Sequence, residues 1–416
     1  MSVITTEAPQ THIPITKPVF DDDEKAAVAA VLDSGWIVQG PRVARFEQLF
    51  AEFTGARHAV ATSSCTTALH LALIAAGIGP ADQVILPSFT FIATANAIEY
   101  VGAQPLFVDI NLTTFTLDAQ RLRELLEARN VRKDRRVRAI IPVSLFGLCA
   151  EMDQINSIAR EHNLLVIEDA ACATGAYRRS KHAGTEALAG CFSFHPRKAI
   201  TTGEGGMIVT DDDQLASTVR KLRDHGASKT DLERHLTQGG SLLPEYSMLG
   251  YNYRMTDLQG ALGVTQMAKL EYILAERRKA AQRYDRMLAS LPEFQTPQSP
   301  PGYVHGYQSY VCLFQPYGPW ADPQLDTDWK RIEAANRTRN RLMAHLEEQK
   351  ISVRQGTHAV HTLRYYQSKY DLTDQAFPAS YIADRLSLTL PLYVGITEAD
   401  QERVVATIRS FLHAHH

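Results

Sequence analysis

The chain has 416 residues, 45% hydrophobic and 21% charged, enough to bury one large core and a smaller one in about two domains. Its 43 Lys and Arg stand against 46 Asp and Glu, so no positive field draws it to nucleic acid or to an anionic membrane. The five cysteines, Cys65, Cys149, Cys172, Cys191 and Cys312, are odd in number and never spaced as a CxxC pair, which argues against a disulfide framework and a metal site.

The N-terminal stretch MSVITTEAPQTHIPITKP has Thr, Glu and Pro where a secretion signal needs a basic stretch and then an apolar run. No span approaches the ~20 apolar residues of a membrane helix, and the expected location is cytoplasmic. Residues 1–20 read as an N-terminal arm. From residue 58 onward, short apolar runs alternate with longer amphipathic ones, the pattern of a mostly parallel sheet with helices on both faces. The expected strands are 58–63, 83–87, 104–109, 137–143, 164–168, 191–194 and 207–210. Several are nearly continuous in Val, Ile and Leu, because a central parallel strand is buried on both faces. Residues 152–162 place Met152, Ile155, Ile158 and Ala159 at helical spacing, so one apolar stripe can lie on the sheet.

A helix beginning near Thr256 carries Leu258, Leu262 and Leu270. After it, long charged helices such as 274–291 replace the short β/α units, which puts a domain boundary after residue 270. The large domain then covers 21–270 and a smaller C-terminal one 271–416. Residues 295–302, with three prolines and a glycine, read as a linker, and 316–328 as a loop insertion. There is no internal repeat and no low-complexity tract.

The run Val166-Ile167-Glu168-Asp169-Ala170-Ala171 ends an apolar strand in acid. Phe192-Ser193-Phe194-His195-Pro196-Arg197-Lys198 follows, with Lys198 29 residues after Asp169. Both groups fall at strand exits, where open α/β sheets bind ligands. An enzyme using pyridoxal 5'-phosphate (PLP) needs a lysine amine for a Schiff base and a carboxylate against the pyridine nitrogen, since a protonated ring withdraws electrons from the substrate carbanion. Asp169 and Lys198 supply that pair, although a turn-capping Asp and a solvated Lys are common by themselves.

Ser63-Ser64-Cys65-Thr66-Thr67-Ala68 lies between a strand and an expected helix over 68–75, offering hydroxyls and N–H groups to a phosphate; the same residues also serve plain N-capping. Pro87-Ser88-Phe89-Thr90-Phe91 puts aromatics at the next exit, to stack on the pyridine face or to fill the core. Four pieces at four strand exits coincide far more rarely than any one of them, and the combination points to PLP.

At these residues the chain resembles the DegT/StrS family of PLP-dependent sugar aminotransferases, from about Pro18 to the C-terminus. The likeness is carried by Ser34-Gly35-Trp36 with Gly40-Pro41, by the three stretches at 63–66, 87–91 and 167–171, and by Ser193-Phe194-His195 with Lys198. Thr202-Gly203-Glu204-Gly205-Gly206 and Gly250-Tyr251-Asn252-Tyr253-Arg254-Met255-Thr256-Asp257 complete it.

The resemblance implies an α/β protein of the type I PLP-dependent aminotransferase fold. Its large domain would hold a mixed, mostly parallel seven-stranded sheet, followed by a smaller C-terminal α+β domain, in a homodimer with active sites at the interface. It implies Lys198 and Asp169 as the catalytic pair, the first carrying PLP as a Schiff base and the second on the pyridine nitrogen, with Phe91 stacked on the ring. Thr66, Thr67 and Ser193 would hold the phosphate within a cofactor-binding set that includes Ser64, Cys65 and Cys172, and Asn252 or Arg254 would reach it from the partner subunit. Two residues depart from the family pattern. Cys65 replaces a glycine and would be strained if its φ were positive. Cys172 replaces Gln or His and offers only a weak hydrogen bond, which makes it a wall.

For substrate contact the candidates are Trp36, Arg42, His195, His305, Tyr307, Arg354, His358 and His361. The last two lie in a segment resembling one that lines the sugar pocket, and Arg42 and Arg354 would meet a diphosphate.

The implied reaction moves an amino group from an amino acid, L-glutamate by the resemblance, to the 3- or 4-keto group of a nucleotide-linked deoxysugar, with Lys198 moving the proton in both halves. The amino sugar made would serve polysaccharide biosynthesis or secondary-metabolite glycosylation. Three alternatives compete with this reaction. A sugar dehydratase on the same fold carries histidine in place of the lysine, so Lys198 disfavours it. An aminocyclitol aminotransferase would share every cofactor residue. A non-catalytic scaffold would have lost the lysine or the aspartate, and both are present.

Overall fold

The computed structural model describes residues 11–128, 136–230, 235, 243–320 and 327–414. Residues 1–10 of the expected arm and 321–326 of the expected insertion lie outside them.

Seven strands form the main sheet: β1 (His58–Thr62), β2 (Gln83–Pro87), β3 (Gln104–Val108), β4 (Val137–Ile140), β5 (Leu165–Asp169), β6 (Ala189–Ser193) and β7 (Gly206–Thr210). Their order is β1-β7-β6-β5-β4-β2-β3. Each expected strand is present, and only the ends move. The run expected to reach 143 stops at Ile140 because Pro142 has no N–H for the ladder; its carbonyl instead accepts from the N–H of Asp169 at 2.9 Å. The strand pairs β2–β3, β2–β4, β4–β5 and β5–β6 are parallel, and β7 runs antiparallel to β1 and β6. The carboxyl ends of β1 to β6 therefore share one edge with the start of β7. That edge collects residues 63–67, 88–91, 169 and 193–198.

Met152, Ile155, Ile158 and Ala159 are the buried face of the Met152–His162 helix, which stops at Asn163 in the left-handed region. The helix near Thr256 runs unbroken over Asp257–Leu288, and Thr256 and Gln259 close its first turn as a capping box. Leu270 is buried along it, whereas Leu258 and Leu262 are half-exposed. The separate helix expected at 274–291 is the second half of this one. Its first half packs Leu270, Ile273 and Leu274 with Phe46, Phe50 and Phe194 beneath the main sheet. Its second half gives Ala280, Ala281, Tyr284 and Leu288 to a second core.

That core lies on an antiparallel sheet of β8 (Phe294–Gln295), β9 (Tyr310–Phe314) and β10 (Ser387–Leu390), and it takes in the Trp329–Glu348 and Glu398–His413 helices. Ile13 of the N-terminal arm is buried there, bonded through its backbone to Lys350 and Ser352 at 2.9 Å each. Among the described residues no helix is long and apolar enough to cross a membrane, and no cluster could hold a metal ion.

Candidate active site

Strand alternation decides what the end of β5 presents. Glu168 turns inward, wholly buried, and accepts from Ser144 Oγ at 2.5 Å and from the Gly184 N–H at 2.7 Å; burial pushes its pKa up to about 7. Asp169 turns toward the crevice. Its carboxylate accepts from Thr94 Oγ1 at 2.7 Å and from the Ala171 N–H at 3.1 Å. Burial lifts its pKa above the ordinary carboxylate value, and those two donors and the nearby Lys198 charge pull it back.

Lys198 follows β6 on a turn closed by its N–H to the carbonyl of His195 at 2.8 Å. Its Nζ donates to Cys172 Sγ at 3.1 Å. Cys172, expected only as a wall, is the group the amine touches. Asp169 and Lys198 are thus brought to one crevice.

The helix at the phosphate end begins at Cys65 rather than at Ala68, because Ser64 caps it in a box with Thr67. Ser64 Oγ accepts from the Thr67 N–H at 3.2 Å, and Thr67 Oγ1 accepts from the Ser64 N–H at 3.0 Å. Among the described residues, the N–H groups of Cys65 and Thr66, which like every first-turn donor have no partner within the helix, are left over. Cys65 corrects the expectation of strain: it lies inside the first helical turn and is not among the positive-φ residues. Gly206 supplies the room instead, since a Cβ there would collide with Ser64 O and stand 2.6 Å from Cys65 N. Burial and the Asp169 charge push the Cys65 thiol well up, with Lys198 and Cys172 also in range, so the helix start and the amine share one space. Ser193 ends β6, its Oγ accepting from the His195 N–H at 3.4 Å. An amine within electrostatic reach of a buried carboxylate, helix-start N–H groups and a glycine-cleared wall fit a phosphorylated pyridine aldehyde.

Thr94 was not singled out in the sequence. It is wholly buried on the Ile92–Tyr100 helix, with Thr90 Oγ1 at 3.0 Å. Its hydroxyl favours the charged form of Asp169, so Thr94→Val should raise that pKa further. A carboxylate that must be ionised is then lost at higher pH. The acidic limb of the donor half-reaction is expected to move to higher pH, with a rate loss of about 10-fold at neutral pH. A pH–rate profile identical to wild type would show that Thr94 does not tune Asp169.

Phe91 precedes that helix and is 58% exposed, free to cover a ligand ring, while Phe89 is fully buried against Phe115 and Phe146. Asn252 is exposed and bridges Asp224 through its backbone, and Arg254 Nη1 pairs with Asp224 Oδ1 at 2.5 Å within the chain. Trp36 Nε1 donates to Gln39 O at 3.3 Å. The turn after it is held by Asp257, which accepts from the N–H groups of Gly40, Arg42 and Val43 at 2.8, 3.1 and 3.0 Å; the Arg42 side chain is exposed. His195 is half-buried, its Nδ1 accepting from the Arg197 N–H at 3.2 Å, and burial followed by the Arg197 charge lowers its pKa. Arg354 is half-buried, within electrostatic reach of Arg197 and Cys172.

Three residues expected at the substrate, His361, His305 and Tyr307, make contacts within the chain. His361 is wholly buried, its Nδ1 2.6 Å from Ser88 Oγ and its ring 4.8 Å from that of Phe377; burial pushes its pKa down to about 4. It ties the β2 exit to the later chain. His305 is buried with its ring 4.0 Å from that of Tyr307, and its Nδ1 accepts from the Tyr307 N–H at 2.8 Å. Their carbonyls take guanidinium N–H bonds from Arg278 and Arg277 of the long helix, so the two form a packed pair against that helix. His358 is exposed beside Asp384 at 3.6 Å, which raises its pKa, and its strand partner is Thr90 next to Phe91.

The profile described as the DegT/DnrJ/EryC1/StrS aminotransferase family matches residues 18–409. The chain belongs to that family. With the family come the enzyme class, a PLP-dependent sugar aminotransferase, and the cofactor, PLP. Solved structures carry the same type I fold along the whole length. A DegT DnrJ EryC1 StrS aminotransferase from Brucella abortus is 30% identical, covering 94% of this chain and 95% of its own, with a TM-score of 0.80. DesV of S. venezuelae is 28% identical over 96% and 98%, with a TM-score of 0.81. An aminotransferase from Psychrobacter cryohalolentis is 27% identical over 98% and 100%, with a TM-score of 0.84.

Proposed function

We propose that Lys198 and Asp169 are the catalytic pair of an enzyme that takes an amino group from L-glutamate and delivers it to the keto carbon of a nucleotide-linked deoxysugar. The observation that carries this reading is that the Lys198 amine, held on Cys172 Sγ, lies within electrostatic reach of the buried Asp169 carboxylate and of the start of the Cys65–Ala75 helix. Bound PLP supplies the electron sink for breaking a bond at the carbon that bears the amine.

The chain's residues do the rest. Lys198 would hold the cofactor through its amine, and its freed Nζ would take the donor's Cα proton and later give one to the sugar carbon. Asp169 keeps the pyridine nitrogen protonated, oriented by Thr94 and the Ala171 N–H. The N–H groups of Cys65 and Thr66, with Thr66, Thr67 and Ser193, receive the phosphate at the positive end of the helix dipole. Phe91 covers the ring, and Asn252 or Arg254 of a second subunit completes the site in a homodimer. Trp36, Arg42, His195, Arg354 and His358 remain candidates toward substrate. The division into 21–270 and 271–416, across one continuous helix, is part of this reading, and a cytoplasmic enzyme fits the composition.

The test is an absorbance titration of the PLP-loaded protein with L-glutamate, followed by a panel of keto sugars on different nucleotides. The expected result is loss of the visible band with glutamate, its return with one of the sugars, and an amino sugar by mass spectrometry. No response to any amino acid refutes the reading, and amination of a keto-cyclitol alone replaces the sugar with a cyclitol.

A further inference from the structure

The Lys198 amine meets the rest of the chain at one point. Its Nζ donates to Cys172 Sγ at 3.1 Å, and among the described residues that sulfur is its only hydrogen-bond partner. Backbone bonds fix both ends of the contact. Cys172 lies in a turn closed by the Ala173 N–H on Ala170 O at 2.9 Å, and the Ala170 N–H is itself on Cys191 O of β6 at 2.9 Å. Lys198 lies in the turn closed on His195 O at 2.8 Å. Both side chains are half-buried. Around the pair stand Asp169 and His195 toward the amine, Arg354 toward the sulfur and the Cys65 thiol toward both, all within electrostatic reach and none of them bonded to Nζ.

A lysine that carries a proton from one atom to another exists in two states. As the free base it accepts through one lone pair, and as the ammonium it only donates. A carboxylate beside it would favour the ammonium and so hold the proton that has to be passed on. A thiol is a weak donor and a weak acceptor at once: its S–H bonds to the free amine, and the ammonium bonds to its sulfur. The heavy atoms need not move between the two arrangements. The bond is weak in both, so the amine leaves it readily for the reacting carbon.

We infer that Cys172 is a positioning residue for the proton transfer, its thiol seating the freed Lys198 amine in both of its protonation states. The inference rests on the transaminase reading above. It makes the residue expected as a wall a partner of the base.

The test uses the PLP-loaded wild type and the variants Cys172→Ser, Cys172→Ala and Cys172→Asp, with L-glutamate carrying hydrogen or deuterium at Cα. Single-turnover rates should fall about 5- to 10-fold in the alanine variant, the size of one lost hydrogen bond, while the half-saturating glutamate concentration stays within about 3-fold of wild type. The deuterium effect should rise, because proton transfer alone is slowed. Serine, a donor and an acceptor like the thiol, should restore most of the rate. In the aspartate variant the limb on which the rate climbs with pH should move to higher pH, since the carboxylate favours the ammonium and the base must be free to take the proton. A merely structural role would move neither that limb nor the deuterium effect. A second readout needs no cofactor: formaldehyde should join Nζ and Sγ through one carbon with loss of water, found by mass spectrometry as a bridge between Lys198 and Cys172. Wild-type rate and deuterium effect in Cys172→Ala, serine no better than alanine, or no bridge in the cofactor-free wild type each overturn the inference. Should the aspartate variant not fold, the serine and alanine variants and the bridge decide. A wild type that forms the bridge yet exchanges the Cα hydrogen of no amino acid would remove the transaminase reading, and this role with it, while the Lys198–Cys172 contact stands.

Discussion

Lys198→Ala is expected to abolish turnover, slowing both half-reactions by at least about 10⁴-fold, because one amine both anchors the cofactor and carries the proton. The visible band of the PLP-loaded protein should vanish with it. The fold should survive. Lys198 is half-buried, its Nζ touches only the Cys172 sulfur, and the turn at His195 is closed by a backbone bond that alanine keeps. The substitution removes the Lys198 charge in reach of the buried Asp169 carboxylate, which keeps its hydrogen bonds from Thr94 and the Ala171 N–H, and the melting temperature should shift by no more than a few degrees. Absorbance spectra, single-turnover assays with L-glutamate and a thermal melt check the three claims separately. Transamination that persists in a folded Lys198→Ala protein would mean that another amine does the work.

What the sequence made legible is what burial on two faces writes into it. Val84, Ile85 and Leu86 are fully buried in β2, and runs of that kind located all seven strands and, through their exits, Asp169 and Lys198. The start of the Cys65–Ala75 helix was not legible from apolar spacing, which begins at Ala68; it is set by the reciprocal bonds of Ser64 and Thr67. Thr94 was hidden for another reason, since its contact with Asp169 spans 75 residues and joins separate β/α units. His358 and His361 sit three apart in one segment, yet the short 3₁₀ turn Val360–Thr362 sends one to the surface and the other into the core. Spacing cannot distinguish them. The long helix crosses residue 270 because no proline interrupts it. Its early glycines lie where helix 41–54 crosses: a Cβ at Gly263 would stand 2.6 Å from the Phe46 ring, and one at Gly260 2.6 Å from Val43 N.

Asp169→Asn should slow both half-reactions on the order of 10²-fold, the scale of losing one fixed charge aimed at the reacting group. The asparagine can be accommodated without rearrangement. Its carbonyl oxygen can accept from the Ala171 N–H as the aspartate does, and its amide can donate to Thr94 Oγ1, whose own proton then turns to the Phe91 carbonyl 3.1 Å away. Shape and hydrogen bonding are kept while the charge is removed, so a slower rate reports on the charge. Stability supplies the control. Burial raises the Asp169 pKa in the folded chain, so the folded state binds this proton more tightly than the unfolded one, and stability of the cofactor-free protein falls as pH rises through that titration. The amide removes this cost. The cofactor-free variant should therefore melt no lower than wild type at neutral pH, even though its loaded form turns over slowly. Rates equal to wild type in both halves would take Asp169 out of contact with the ring nitrogen, and a much lower melting temperature would mark it as a structural residue.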